Sequence, residues 1–208
     1  MNICFICNNT DISLGSYRIW INDLNEYFNK IGVESKINPN SIDEYDIHIY
    51  QKGYYNIKNK KKINGIINPD TIEIIKDFNF LIVGSIEEKE SLIKLNKNIF
   101  IFPLIEKMFL NIKPKIHIDK NTEIIIGYHG NSNHLNHLDI GLKDALERLD
   151  KEFNIKFMYI TRDKKIWEKG RPKIKKKKYC KWEINDIKNN ISKFDIGVVP
   201  NISEYYNE

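Results

Sequence analysis

Three short stretches of this chain set glycine beside basic, amide or imidazole side chains between apolar runs, a composition that suits an anionic ligand. Ser13-Leu14-Gly15-Ser16-Tyr17-Arg18 stands at the start of a long helical pattern. Gly15 would let a ligand approach the backbone, a helix start offers unpaired N–H groups, and Arg18 could add a charge-assisted contact to phosphate. The same residues also read as an ordinary capped helix start with Ser13 or Ser16 as the cap. Gly127-Tyr128-His129-Gly130-Asn131-Ser132 again separates a strand pattern from a helix pattern. It is a plausible diphosphate cradle through Gly127, His129, Gly130 and Asn131, although it is neither the GxGxxG fingerprint nor a P-loop. Gln51-Lys52-Gly53 follows an apolar strand, where Lys52 reads either as a contact to phosphate or acceptor or as a solvated lysine.

Metal and thiol chemistry are less well provided. His134 and His137 lie close together, but no Cys or acidic partner stands at a familiar ligand spacing, so no metal is expected. Cys4 and Cys7 have a spacing that serves metal or redox sites elsewhere. Here they fall within an apolar run that reads as a strand, and alternation puts the sulfurs on opposite faces. Two small core hydrophobes is the simpler reading. With Cys180 the total is three, an odd number that argues against a secreted disulfide framework. No targeting segment or long apolar span is visible, so a reduced cytoplasm is the expected setting.

The elements that must carry these stretches alternate. Strand patterns fall at Ile3–Cys7, Val33–Ile37, Asp46–Tyr50, Ile63–Ile67, Phe80–Val83 and Ile99–Phe102. Tyr17, Trp20, Ile21, Leu24, Tyr27, Phe28 and Ile31 recur at helical spacing until Gly32, a shorter helix is expected at Thr71–Lys76, and another opens at Ser85. Residues 111–121 suit a linker. The pattern then restarts with strands at Glu123–Ile126, Lys156–Ile160 and Asp195–Val199 and helices at Leu138–Phe153 and Asp186–Ser192. Such alternation implies mostly parallel sheets covered on both faces. The expected organisation is an α/β chain of two Rossmann-like units, residues 1–110 and 122–208, the second incomplete with three strands. In parallel sheets the ligand loops lie at the carboxyl ends of the strands, which is why the three stretches above are singled out.

Composition is that of a globular protein: 208 residues, 41% hydrophobic, 29% charged, net charge +5. The basic charge is local. Ten Lys or Arg residues and one acid lie between Lys164 and Lys181, giving +9 there and −4 over the remainder. Lys173, Lys175, Lys176, Lys177 and Lys178 could meet an anionic membrane or a phosphorylated acceptor, or form a solvated loop. No nucleic-acid-binding motif accompanies them.

Three segments together resemble the family 4-like glycosyltransferases of the GT-B type. Ile124–Leu138 looks like the opening of the donor-binding domain, with a strand, a Gly-x-x-Gly turn and His134-x-x-x-Leu138. Trp182-Glu183 through Phe194-Asp195-Ile196-Gly197-Val198-Val199-Pro200 looks like that domain's later strand. Ser13–Arg18 resembles the glycine-bearing loop of the acceptor domain. The resemblance implies a metal-independent transfer of a sugar from a nucleotide-diphosphate sugar to a glycan or lipid-linked acceptor, as in bacterial surface polysaccharide synthesis. It needs no cofactor, since N–H groups and basic side chains neutralise the leaving diphosphate. Gly15, Ser16, Arg18, Gly127, His129, Gly130, Asn131 and Pro200 would lie on the donor side, and Gln51 and Lys52 on the acceptor side. The family continues past the equivalent of Pro200 into a Lys-bearing loop and paired glutamates, whereas this sequence stops at Glu208, so a truncated donor domain is expected. A non-catalytic sugar-nucleotide-binding or assembly subunit of the same fold is the alternative, with a sugar-phosphate epimerase or a solute-binding protein further off.

Overall fold

A computed structural model describes residues 1–54, 56–103, 105–110, 122–137, 141–164 and 171–199. The expected linker at 111–121, Pro200 and residues 165–170 of the basic run lie outside the described residues. The chain divides into two compact units, Met1–Leu110 and Asn111–Glu208.

The first unit is built on six parallel strands: β1 (Ile3–Ile6), β2 (Ser35–Ile37), β3 (Ile47–Gln51), β4 (Ile63–Ile67), β5 (Phe80–Val83) and β6 (Ile99–Ile101), in the order β2-β1-β3-β4-β5-β6. Strands buried on both faces read as continuous apolar runs, and alternate residues feed two cores. Cys4, Ile6, Tyr50, Ile66, Leu81 and Val83 pack on one face. Ile3, Phe5, Cys7, Ile49 and Ile67 pack on the other. Cys4 and Cys7 therefore point to opposite faces. Burial raises the Cys4 thiol to about 11 and pushes Cys7 up as well, so both are held as neutral thiols.

The second of these faces is covered by one continuous helical stretch: α1 (Gly15–Tyr17), a π-helical turn (Arg18–Asn22) and α2 (Asp23–Lys30). Arg18, Ile19, Trp20 and Ile21 are all buried. Four consecutive residues of a regular α-helix span most of its circumference, so the wider π turn is what brings all four inward. The opposite face carries a 3-10 turn (Ile72–Asp77) where a short helix is expected from the sequence. It also carries α3 (Ile86–Leu92), whose cap Ser85 accepts from the Glu88 N–H at 3.2 Å while Glu88 accepts from the Gly84 N–H at 2.6 Å.

Two strands end in the same device. Asn38 after β2 and Asn68 after β4 both precede proline and both adopt left-handed backbone, φ 46° and 48°. Asparagine tolerates that region better than most residues. Asn38 gives its amide to Cys7, donating to the carbonyl and accepting from the N–H at 2.9 Å each. The side chain of Asn68 has no such partner among the described residues.

The second unit has four parallel strands, β7 (Ile124–His129), β8 (Ile155–Thr161), β9 (Lys177–Lys181) and β10 (Ile196–Gly197), in the order β10-β7-β8-β9. Leu146 of α4 (Leu142–Glu152) packs with Ile126, Tyr128, Phe157 and Tyr159. The alternate residues Met158 and Ile160 are buried too, as is Ile187 of α5 (Ile187–Ile191).

Several expectations are corrected here. The second unit has a strand the sequence reading omits, β9, which lies inside the basic run and pairs with β8 from Phe157↔Lys177 to Thr161↔Lys181. Its periodicity is hidden because lysine occupies both faces of an edge strand, a position where charged side chains block unwanted pairing. Gly127, Tyr128 and His129 belong to β7 rather than to a loop. The segment that follows is a 3-10 turn, Ser132–His137, and α4 starts only at Leu142. The anion-binding helix N-terminus expected directly after Asn131 is therefore replaced by that turn.

Candidate functional site

In an open parallel sheet, ligands settle beyond the carboxyl ends of the strands, next to the strand at which the order reverses. Each unit has one such point at its first strand. β1 lies between β2 and β3, and β7 lies between β10 and β8. The three stretches singled out in the sequence fall at these two places.

In the first unit, Ser16, Trp20, Gln51, Lys52, Ile67 and Asn68 converge on a crevice at the carboxyl ends of β3 and β4 that is too tight to admit a water molecule. Ser16 comes from the covering helix, and Gln51 and Lys52 from the end of β3, so two of the sequence stretches meet here. Gln51 continues the face on which Ile47 and Ile49 pack against the core, and it is only 8% exposed. No side chain among Ser16, Gln51, Lys52 and Asn68 has a hydrogen-bond partner or ion pair among the described residues. Trp20 and Asn68 were not singled out from the sequence. Trp20 merges with the apolar stripe of its helix. Asn68-Pro69 directly after an apolar strand is the signal that could have flagged the other.

Gly15 and Arg18 serve this neighbourhood differently. A side chain at Gly15 would meet only Arg18 and Ile19, both at 3.9 Å, so the backbone here does not require glycine. Arg18 is turned inward. Its guanidinium donates to the Ile12 carbonyl at 2.9 Å and pairs with Glu106 at 2.8 Å. Its charge is thus opposed within the unit. Leu14 stands at the cap position without a side-chain cap bond, and Ser13 instead bonds Asp11, so neither serine caps the helix.

In the second unit, the Gly127–Asn131 stretch is held from inside. A side chain on Gly127 would run into the Phe194 ring. Gly130 has φ 147°, a conformation that side-chain-bearing residues rarely adopt, and a Cβ there would lie 2.8 Å from the Tyr128 hydroxyl. That hydroxyl donates to the Asn131 carbonyl at 2.6 Å, and burial pushes its pKa up to about 12. Asp195 ties the short β10 to β7, accepting from the Ile125 N–H at 2.5 Å while its own N–H donates to the Ile125 carbonyl. The two glycines thus have packing reasons of their own, and a Gly130→Val substitution would disturb the turn as well as any ligand. His129 and Asn131 are exposed at the carboxyl end of β7. His134 is exposed in the following turn. Among the described residues no group of three His, Cys, Asp or Glu is placed to hold a metal.

Part of the basic run is engaged within the second unit, Lys173 through its backbone N–H and Lys175, Lys176 and Lys177 through their ammonium groups as well. Glu147 accepts from the Lys173 N–H at 2.8 Å and buried Asp150 from the Lys175 N–H at 3.0 Å. Lys176 pairs with Glu123 at 2.8 Å, and Lys177 donates to the Pro172 carbonyl. Lys178 is exposed and has no side-chain partner among the described residues. A wider hollow of about 260 Å³ touches Asp150, Asn154, Lys175 and Lys176. It opens beside Ile155 at the amino end of β8, away from the switch point, and these groups already satisfy one another.

No described helix is long and apolar enough to cross a membrane. The sequence matches no protein-family model and shows no significant similarity to a curated protein.

Proposed function

We propose that the protein is a nucleotide-sugar-dependent glycosyltransferase of the GT-B type, with the donor's diphosphate held at His129–Asn131 and the acceptor held by the first unit. One observation carries this reading: two all-parallel sheets each reverse their strand order at their first strand, and exposed polar residues follow each of those strands, Asn8 and Asn9 after β1 and Asn131 after β7. The order β9-β8-β7-β10 corresponds to the first four positions of the 3-2-1-4-5-6 dinucleotide-binding sheet.

A second reading, a sugar-nucleotide-binding subunit without catalysis, draws support from Arg18 and Gly127. The cation expected to grip phosphate is paired with Glu106, and the glycine expected to admit it is covered by Phe194. Calorimetry with UDP and GDP, followed by transfer assays with the corresponding sugar nucleotides, separates the two. Binding with turnover supports the enzyme, and binding without turnover supports the subunit. His129→Ala should weaken nucleotide binding by about 1–3 kcal/mol. A chain that binds neither nucleotide overturns both.

A further inference from the structure

The outer strand β6 is left open in a way that β9 is not. No charged residue lies between Asn98 and Pro103, whereas β9 carries Lys177, Lys178 and Lys181 and β2 carries Lys36. The far side of β6 has no strand partner among the described residues. The Leu81 N–H donates to the Asn98 carbonyl and the Phe102 N–H to the Val83 carbonyl, so Asn98 and Phe102 turn these groups toward β5. Alternation then points the N–H and C=O of Ile99 and Ile101 outward, an apolar edge ready to pair.

Apolar side chains line that edge on both faces of the sheet. Phe100 is 61% exposed on the face it shares with Ile82, and Ile101 is 40% exposed on the face it shares with Val83. The helix α3 extends the second of these surfaces. Its Leu92 packs into the core, and at about 100° per residue Ile86 and Ile93 lie a quarter to a third of a turn away from it. The right-handed crossover expected of β5, α3 and β6 turns that flank toward the free edge. Ile86 is 60% and Ile93 38% exposed. Charge along α3 is polarised: exposed Glu87, Glu88 and Glu90 stand near its start, and exposed Lys94 and Lys97 follow its end.

We propose that this edge pairs with that of a second copy of the chain, antiparallel about a two-fold axis at Phe100, so that two sheets become one. Ile99 of each copy then lies opposite Ile101 of the other, and their outward N–H and C=O groups bond each other. The neighbouring residues fix the axis. At Ile101 it would set Ile99 against Pro103, which has no N–H, and at Ile99 it would set Ile101 against Lys97. Phe100 meets its own copy as a non-hydrogen-bonded pair, in which side chains approach closest. The two α3 helices run antiparallel on one face, so the acidic start of each is set toward the basic end of the other. Such a contact is isologous and closes at two copies. It stands apart from the glycosyltransferase reading and from any ligand.

The test is sedimentation velocity of the full chain over a concentration series. The parent should pass from monomer to dimer as concentration rises. Phe100→Lys sets like charges opposite each other and should weaken dimerisation at least about tenfold, with an unchanged circular dichroism spectrum. Ile101→Pro removes an outward N–H where an edge strand tolerates proline, and should act in the same way. Phe100→Lys and Phe100→Glu should each resist dimerisation alone and form a mixed dimer when combined, as self-pairing at this residue requires. A parent that stays monomeric throughout overturns the proposal, as does a dimer that survives both Phe100→Lys and Ile101→Pro. Failure of the two charged variants to associate when mixed would overturn the pairing about Phe100.

Discussion

The ring of Phe194 fills the space that a side chain on Gly127 would need. Gly127 lies in the register of β7 opposite Gly197 of β10, so the small residue admits the ring at the point where the shortest strand joins the sheet. Gly127→Ala should therefore destabilise the second unit by about 1–3 kcal/mol through overpacking. Phe194→Ala removes the obstacle, and in that background the further cost of Gly127→Ala should nearly vanish. Urea unfolding of the two single variants and the double variant measures the coupling. Strict additivity would remove the packing explanation and return Gly127 to the ligand.

Tyr128 offers a pH signature of the turn it supports. Burial moves its pKa from 10.0 to about 12 in the folded chain. Below the unfolded value both states are protonated, so its contribution is fully present there. As pH rises through the interval up to about 12, the unfolded chain ionises first and stability falls, by about 2–3 kcal/mol if the whole shift is realised. Tyr128→Phe should cost about 0.5–1.5 kcal/mol at neutral pH by losing the bond to Asn131, yet show a shallower alkaline decline. Unfolding midpoints of the second unit at about pH 9 and about pH 11.5 decide this. Equal declines in both proteins would mean another group titrates.

Arg18 and Glu106 form an ion pair whose side chains are 9% and 17% exposed. Removing one partner of a well-buried pair leaves a desolvated charge behind, so Glu106→Ala should cost about 3 kcal/mol in the first unit. Arg18→Met with Glu106→Leu replaces both charges by apolar groups and should recover most of that loss. If Glu106→Ala is silent in chemical denaturation, Arg18 is free to turn outward and its expected role at phosphate revives.

How much of this was legible in the sequence depended on burial. The run Phe80–Val83 is a strand at those same bounds because its apolar pattern is unbroken, and Ile63–Ile67 keeps its bounds although Asn64 and Gly65 interrupt it. β9 was hidden because its side chains answer to an edge rather than to a core. Gly127 and Gly130 announced a special backbone, but the sequence cannot say whether the partner is a ring, a phenol or a ligand. Gln51 was visible as a polar residue at a strand's carboxyl end. That it meets Ser16, Trp20 and Asn68 follows from the crossover geometry, which local periodicity does not contain.

Gln51 should also reveal itself through stability. Gln51→Leu removes an amide without a partner and extends the apolar face of Ile47 and Ile49. It is expected to raise first-unit stability by about 0.5–2 kcal/mol through the added apolar contact with that face. Gly15→Ala, with only ordinary contacts waiting for its Cβ, should change stability by less than about 1 kcal/mol. Thermal melts of both variants supply the answer, and a destabilised Gln51→Leu would make the amide part of the fold.

The lysines of β9 carry the last prediction. As the outer strand of the order β10-β7-β8-β9, β9 has one edge without a strand partner among the described residues. Lys177, Lys178 and Lys181 lie along it, and Lys178 is exposed without a side-chain partner among the described residues. An edge strand of alternating polar and aromatic residues without charge is a template for pairing with another chain, and lysine is a common means of blocking it. Replacing Lys177, Lys178 and Lys181 with Thr keeps strand propensity and removes the repulsion. The variant should fold, because these lysines hold no buried acid, and should associate further than the parent with rising concentration. Sedimentation velocity across a concentration series reads this directly. Vesicle binding supplies the counter-test: if the parent binds anionic vesicles and the Thr variant associates no further than the parent but no longer binds, the lysines serve a membrane surface instead of guarding the edge. A variant that associates no further, with a parent that ignores vesicles, would show that neither role accounts for them.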